Sequence, residues 1–218
     1  LSRGLGDVYK RQVVQRGKGD GCYINTSGVG ILDPSVHLSP TLAQPGDVVV
    51  VSGPIGDHGM TIMLARGELD IEADLASDTA PLNALVSDLM AVAPNVRWMR
   101  DATRGGVATV LNELAKAAQV SVVIDERRVP VRPEVTGACE LLGIDPLYSA
   151  CEGRLVAVIP EAEVEGALAA MRAHPCGTGA AAIGVLKADP PGLVLLKTEF
   201  GGSRIVDLLV GDPLPRIC

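Results

Sequence analysis

From residue 47 onward the chain alternates short apolar runs with polar turns punctuated by glycine. Val48-Val49-Val50-Val51 is an unbroken β-branched run and predicts a buried strand. Residues 58–67 read as a helix stopped by Gly67. A second helix is predicted over 81–92, with Pro81 in its first turn, where a missing N–H costs little. Val107, Val110, Leu111, Leu114 and Ala115 recur at helical spacing and place a third helix there. Residues 120–124 predict a strand, 133–142 a short helix ended by Gly143, 154–159 a strand and 161–172 a helix. Residues 181–185 and 193–197 predict two strands paired through the turn at Pro190-Pro191-Gly192. Strands and helices mix without strict alternation. That favours an α+β fold, a mixed α/β sandwich, over a strictly doubly wound sheet.

Upstream of residue 47 the pattern is less regular. Residues 1–12 do not match the rest of the chain and read as a non-native scar outside the fold. The natural chain then enters abruptly at Val13-Val14, as if inside a domain. Residues 23–31 predict mostly strand. Residues 33–46 carry Pro34, Pro40 and Pro45, which marks a linker and a domain boundary near residue 38. The expected organisation is therefore 1–12, 13–37, 38–200 and a flexible tail, 201–218.

Composition narrows the function classes. At 218 residues the chain is one large or two small domains. With 47% hydrophobic residues but only 2% aromatics, its core must be built from Val, Leu, Ile and Ala. The net charge of −7 argues against a nucleic-acid surface and fits a cytoplasmic protein. No apolar run approaches the roughly 20 residues of a membrane span, so no membrane partner is expected. The cysteines Cys22, Cys139, Cys151, Cys176 and Cys218 are odd in number and lack CxxC spacing. That speaks against a disulfide framework or a zinc site. The first four sit among apolar or small residues and read as small buried hydrophobes.

Cys218 is different because it is the last residue. It ends an arm, Gly211-Asp212-Pro213-Leu214-Pro215-Arg216-Ile217-Cys218, whose two prolines favour extended conformations. A thiol on such an arm can enter a pocket, be modified, and present its cargo elsewhere. The adjacent carboxylate raises the thiol pKa and Arg216 lowers it. A frayed terminus that happens to end in Cys is the alternative.

Three further segments carry candidate chemistry. Asp101-Ala102-Thr103-Arg104-Gly105-Gly106 lies between a predicted strand end and a helix start. Paired glycines let backbone N–H groups approach an anion, and the helix N-terminus adds partial positive charge. Asp101 can hold Mg²⁺, Arg104 can clamp a phosphate oxygen, and Thr103 can donate a hydrogen bond. A plain capping turn explains the same residues. Gly56-Asp57-His58-Gly59 is a second glycine-flanked turn, where His58 can touch a phosphate or serve as a solvated cap. Cys151-Glu152-Gly153-Arg154 precedes a strand, and a half-buried Glu152 there can act as a general base.

Together these segments resemble the HypE family of hydrogenase maturation proteins. That family shares a superfamily with aminoimidazole ribonucleotide synthetase and selenophosphate synthetase. The resemblance rests on Val13-Val14-Gln15-Arg16-Gly17, Ile24-Asn25-Thr26, Val51-Ser52-Gly53, Gly56-Asp57-His58-Gly59 and Arg100-Asp101-Ala102-Thr103-Arg104-Gly105-Gly106-Val107. It continues through Cys139-Glu140-Leu141-Leu142-Gly143, Glu152-Gly153-Arg154-Leu155 and Pro213-Leu214-Pro215-Arg216-Ile217-Cys218. It implies a PurM-like C-terminal domain over 38–200 and, over 13–37, a remnant of an N-terminal ATP-binding domain. It implies ATP and Mg²⁺ as cofactors and Cys218 as the carrier. A HypF-type carbamoyltransferase would load Cys218. ATP-dependent dehydration would turn the S-carboxamide into a thiocyanate. The cyanide would pass to iron on a HypC–HypD scaffold for a NiFe hydrogenase. Asp101, Thr103, Arg104, Gly105, Gly106 and His58 would hold phosphates, and Glu152 would be the base.

A full member also has the N-terminal domain that binds ATP and makes the homodimer. Its acidic and lysine residues are missing here, so the expectation is a truncated product with an incomplete ATP site. Two other readings stand beside the dehydratase. One is a non-catalytic carrier that offers Cys218 to a partner. The other is another ATP-dependent synthetase of the superfamily, against which the cysteine arm argues.

Overall fold

The computed structural model describes residues 27–31, 33–67 and 74–208. The chain divides into two compact units, residues 1–36 and 37–218. In the first unit the described residues form no helix or strand. Asp33 organises a turn there: the Ser35 N–H and Oγ both donate to its Oδ1, at 2.8 and 2.7 Å. Residues 27–31, expected to continue a strand, have no regular structure; residues 23–26 and the segment read as a scar lie outside the described residues.

The second unit is built on a seven-stranded sheet. Its strands are β1 (Val48–Val51), β2 (Trp98–Asp101), β3 (Ser121–Asp125), β4 (Leu155–Ile159), β5 (Ala181–Lys187), β6 (Val194–Lys197) and β7 (Ser203–Ile205). Their order is β2-β4-β1-β5-β3-β6-β7. All neighbours are antiparallel except β3 and β6, which run parallel. The helices are α1 (Asp57–Ala65), α2 (Asn83–Val92), α3 (Gly106–Ala118), α4 (Pro133–Leu142) and α5 (Val164–Ala173).

The valine run of β1 lies between β4 and β5 and serves two cores. Val49 and Val51 face a cluster with Val107, Leu111 and Leu114 of α3. Val50 faces the opposite cluster, with Leu85 and Leu89 of α2 and Ala167 and Met171 of α5. Alternate side chains of one strand thus bury against helices on both faces, as a period of two demands. A third cluster joins Met60 and Met63 of α1 to Val135, Ala138 and Cys139 of α4. The expected α+β sandwich is the observed fold.

Most predicted elements form within a few residues of their expected ends. α4 starts on Pro133 and stops at Gly143, which takes the left-handed conformation. Residues 161–163 are a separate 3₁₀ turn before α5. α2 starts two residues beyond Pro81. Two further expectations fail. Residues 181–185 and 193–197 do not pair with each other: β3 lies between them, antiparallel to β5 and parallel to β6. β3 is apolar through Val122, Val123 and Ile124, all buried. Placed between β5 and β6, it pairs its backbone polar groups along both edges, which a buried strand requires. The tail expected from residue 201 is also fixed further than anticipated. β7 pairs with β6, Val206 is fully buried, and its N–H donates to the Val194 carbonyl at 2.9 Å.

Candidate functional site

Three separate segments meet around residues 149–154, the loop that leads into β4. The first is the turn into α3. β2 ends at Asp101 and α3 begins at Gly106, with Gly105 as its cap residue. Gly105 and Gly106 have φ of +71° and +60°, a region that favours glycine. A Cβ on Gly106 would lie 2.5 Å from the carbonyl oxygens of both Leu147 and Ser149, so the turn presses directly on the loop backbone. No side chain caps the α3 N-terminus. Asp101 is exposed and accepts a hydrogen bond from Thr103 Oγ1 at 3.2 Å. The turn is stitched to the loop on both sides: the Ala102 N–H donates to the Arg154 carbonyl (3.1 Å), and the Cys151 N–H donates to the Ala102 carbonyl (2.9 Å).

The second segment is the turn into α1. Gly56, with φ +86°, precedes Asp57. Its N–H points at Cys151 Sγ (3.3 Å), and its carbonyl accepts from Ser149 Oγ (3.2 Å). The Gly59 N–H donates to the Ala150 carbonyl at 3.0 Å. A Cβ on Gly59 would sit 2.3 Å from Ser149 Oγ, so glycine is what lets α1 approach the loop. His58 is nearly buried, and its Nδ1 lies 2.8 Å from Ser77 Oγ. The solvated cap considered for it does not form, because the ring is packed and hydrogen-bonded.

The third segment, residues 77–80, drew no functional reading from the sequence. The Glu152 N–H donates to Asp78 Oδ1 at 2.9 Å. Glu152 itself is half-buried.

Beneath these contacts lies a charge network that the sequence reading missed. Asp57 and Asp78 are buried, and Arg154 is 9% exposed. Arg154 donates to the carbonyls of Pro54 (2.8 Å), Gly153 (3.0 Å) and Cys176 (3.3 Å). It also lies 3.8 Å from Asp57 Oδ2 and 3.7 Å from Asp78 Oδ2. Arg132 Nε donates to Asp57 Oδ2 at 3.0 Å. Burial pushes the Asp57 carboxyl above its ordinary value; Arg132 and Arg154 pull it back, and Asp78 adds to the rise. Burial also pushes the Cys151 thiol up to about 12, against the lowering effect of the Gly56 N–H. Cys151 is therefore a packed, protonated thiol, as the sequence anticipated. Cys139 is buried too, while Cys176 is only half-buried.

The structure thus sets the turns that carry Asp101, Thr103, Arg104, Gly105, Gly106 and His58 against the loop that carries Glu152, with Asp101 and Arg104 exposed. The only sequence signal for Asp57 and Arg154 was their position inside the two glycine-marked motifs. Cys218, Cys22 and the terminal Pro215-Arg216-Ile217 lie outside the described residues. The root of the terminal arm is described. Asn112 Nδ2 of α3 donates to the Val206 carbonyl (2.8 Å), and Tyr148 Oη donates to the Asp207 carbonyl (2.8 Å). Tyr148 immediately precedes the loop on which the three segments meet. Among the described residues no helix is long and apolar enough to cross a membrane.

Residues 44–196 match the family model of the AIR synthase related protein, C-terminal domain. The chain belongs to this family. Within it, the carbamoyl dehydratase HypE of Rhodobacter capsulatus is 53% identical over 207 residues, which is 95% of this chain and 61% of that protein. A crystal structure of the hydrogenase maturation protein HypE in complex with ATP matches with a TM-score of 0.78 at 43% identity, over 83% of this chain and 55% of that one. A HypE–HypF complex matches with a TM-score of 0.75 at 44% identity, over 79% of this chain and 56% of that one. The chain therefore spans about three-fifths of the length of the curated relatives it matches. The likeness to HypE read from the motifs is borne out along nearly the whole chain.

Proposed function

We propose that this chain carries the terminal-cysteine part of an ATP-dependent carbamoyl dehydratase in NiFe-hydrogenase maturation. The observation that carries the reading is the convergence of both glycine turns on residues 149–154, the loop that carries Glu152. The arm that ends in Cys218 is rooted beside them, through Tyr148 and Asn112. Ten residues lie beyond Leu208, and an extended chain spans at most about 3.3–3.6 Å per residue. The arm's reach of roughly 35 Å suffices to visit its own loop cluster and then a partner.

In this reading Cys218 Sγ bears the carboxamide delivered by a HypF-type carbamoyltransferase. The N-terminus of α3, whose cap residue Gly105 carries no side chain, offers its partial positive charge to a phosphate group. Thr103 and Arg104 add polar and cationic contacts, and His58 lines the adjoining turn. Asp101 offers one exposed carboxylate, which fits a Mg²⁺ shared with nucleotide phosphates rather than a closed protein cage. When bound, Mg-ATP supplies the phosphoryl group that makes the carboxamide oxygen a leaving group. Glu152 takes a proton from the carboxamide nitrogen, which loses both its protons in all. The C–O bond breaks as its oxygen departs with the phosphoryl group as inorganic phosphate, the second N–H proton passes to the leaving phosphate or solvent, a C≡N bond forms, and Cys218 is left as a thiocyanate. The cyanide then goes to iron on a HypC–HypD scaffold. The full-length relatives' homodimer is part of the same proposal, as is a cytoplasmic location.

Intact-protein mass spectrometry tests this reading. The chain is incubated with the carbamoyltransferase, carbamoyl phosphate and ATP, with Cys218→Ala as control. Gain of one carbamoyl group on Cys218 is the expected result, and a following loss of one water on adding Mg-ATP would show that this chain dehydrates its own carboxamide although it spans only part of its relatives' length. Carbamoylation without water loss reduces the chain to a carrier. No modification of Cys218 overturns the proposal.

A further inference from the structure

The segment Ser77-Asp78-Thr79 touches both His58 and Glu152, although no motif marks it. Ser77 Oγ contacts His58 Nδ1 (2.8 Å) and Thr79 Oγ1 (2.7 Å), and accepts from the Thr79 N–H (3.2 Å). The segment is thus braced on itself as well as on α1. Asp78 Oδ1 accepts the Glu152 N–H at 2.9 Å. The same backbone lies against the next residue of the turn. A Cβ on Gly153 would fall 1.8 Å from the Asp78 carbonyl oxygen and 2.9 Å from the Ala80 nitrogen. On its other side Asp78 Oδ2 faces Arg154 Nε at 3.7 Å, with the Asp78 side chain wholly buried.

A wholly buried carboxylate carries a desolvation cost, which a neutral residue packed in the same space avoids. Here one oxygen accepts the Glu152 amide, while the other makes no hydrogen bond and meets the Arg154 guanidinium only as a counter-charge at 3.7 Å, the facing Nε being donated to the Pro54 carbonyl. Arg154 is itself tied to the Pro54, Gly153 and Cys176 carbonyls, so it presents Asp78 with a fixed counter-charge. We propose that Asp78 is a positioning residue whose carboxylate, braced by Arg154, fixes the Glu152–Gly153 turn and so sets where the Glu152 side chain is held. The inference rests on the reading of Glu152 as the base and deepens it. Asparagine keeps an acceptor for the Glu152 amide but loses the charge that faces Arg154. Alanine loses both.

The test combines amide hydrogen exchange, followed by NMR on this chain, with single-turnover dehydration of the Cys218-carbamoylated chain. Asp78→Ala is expected to speed exchange of the Glu152 amide by about tenfold or more, while amides of Val156 and Val158 in β4 keep their protection. Asp78→Asn is expected to give a smaller increase, about threefold. Asp88→Asn, an exposed change on α2, is expected to alter neither readout. In the dehydration assay, Asp78→Ala lowers the maximal rate about tenfold at an unchanged half-saturating ATP concentration, and Asp78→Asn recovers part of it. Unchanged Glu152 exchange in Asp78→Ala overturns the proposal. So does a loss of protection spread equally through β4, which marks a role in folding alone. A rise in half-saturating ATP at a constant maximal rate overturns it as well. Should the alanine variant fail to fold, Asp78→Asn decides by the same criteria. If the wild-type chain releases no water, the dehydratase reading of this chain falls, and the exchange measurement still decides whether Asp78 holds the turn.

Discussion

Burial sets the chemistry of single residues here. With its pKa pushed up to about 12, Cys151 is almost entirely protonated at neutral pH. An ordinary thiol near 8.5 has a thiolate fraction about a thousandfold higher at pH 8. Native protein treated with iodoacetamide at pH 8 should therefore leave Cys151 unmodified while an exposed thiol reacts fully. Peptide mass spectrometry reads this, and denaturant should abolish the difference. Asp57 gives a pH signature. Its folded-state pKa is raised, chiefly by burial, so the native protein holds that proton more tightly than the unfolded chain. The stability from this group is fully present below the ordinary value of 3.8 and is lost as pH rises through the folded pKa. As pH rises from 3.8, the Tm of Asp57→Asn should thus gain on that of the wild type. A Tm difference that stays flat with pH would sink this account.

At the scale of elements, glycine decides how closely α1 and α3 approach the loop. Gly106 has φ +60° and backbone carbonyls where a Cβ would go. Gly106→Ala should cost at least about 2 kcal/mol, because neither the left-handed conformation nor the overlap relaxes cheaply. Thermal denaturation should show this as a fall of about 4–8 °C. Gly137 makes the opposite case. It lies inside α4 with nothing within 4 Å of a Cβ. Gly137→Ala should stabilise by about 0.5–1 kcal/mol through helix propensity. Equal effects at the two positions would refute the claim that close approach is what Gly106 serves. The sequence showed the glycines and the helix starts. It did not show that the two turns press on one loop, since the Gly56 contacts join residues 93 and 95 positions apart and the α3 turn reaches the loop through Ala102 and Cys151, also far apart along the chain.

For the molecule as a whole, the consequence of the fold is two cores sharing one sheet. Leu111 lies in the α3 core and Leu89 in the α2–α5 core, and both are fully buried. Each change to alanine should cost about 2–5 kcal/mol. β1 contributes side chains to both cores, so the two layers should melt together. Trp98, the single tryptophan, sits in the α3 core and reports it by fluorescence. Far-UV circular dichroism reports all layers. Coincident transitions are expected for the wild type and both variants. Trp98 fluorescence that melts apart from the dichroism in Leu89→Ala would show that the layers unfold independently.

Local pattern determined the elements of this protein. The valine run made β1, the spaced apolar residues made α3, and Pro133 with Gly143 bounded α4, because each signal lies within a few residues along the chain. The same pattern marked Glu152, His58 and the paired glycines as candidate chemistry. Which strands become neighbours was decided only in three dimensions. A period of two fixes which face of β5 or β6 is buried, but leaves open whether β3 comes between them. The charge network was hidden for a related reason. Asp78 meets Glu152 across 74 residues and Arg132 meets Asp57 across 75. Such pairs leave no periodicity to read, and only the folded chain brings their charges out of water together.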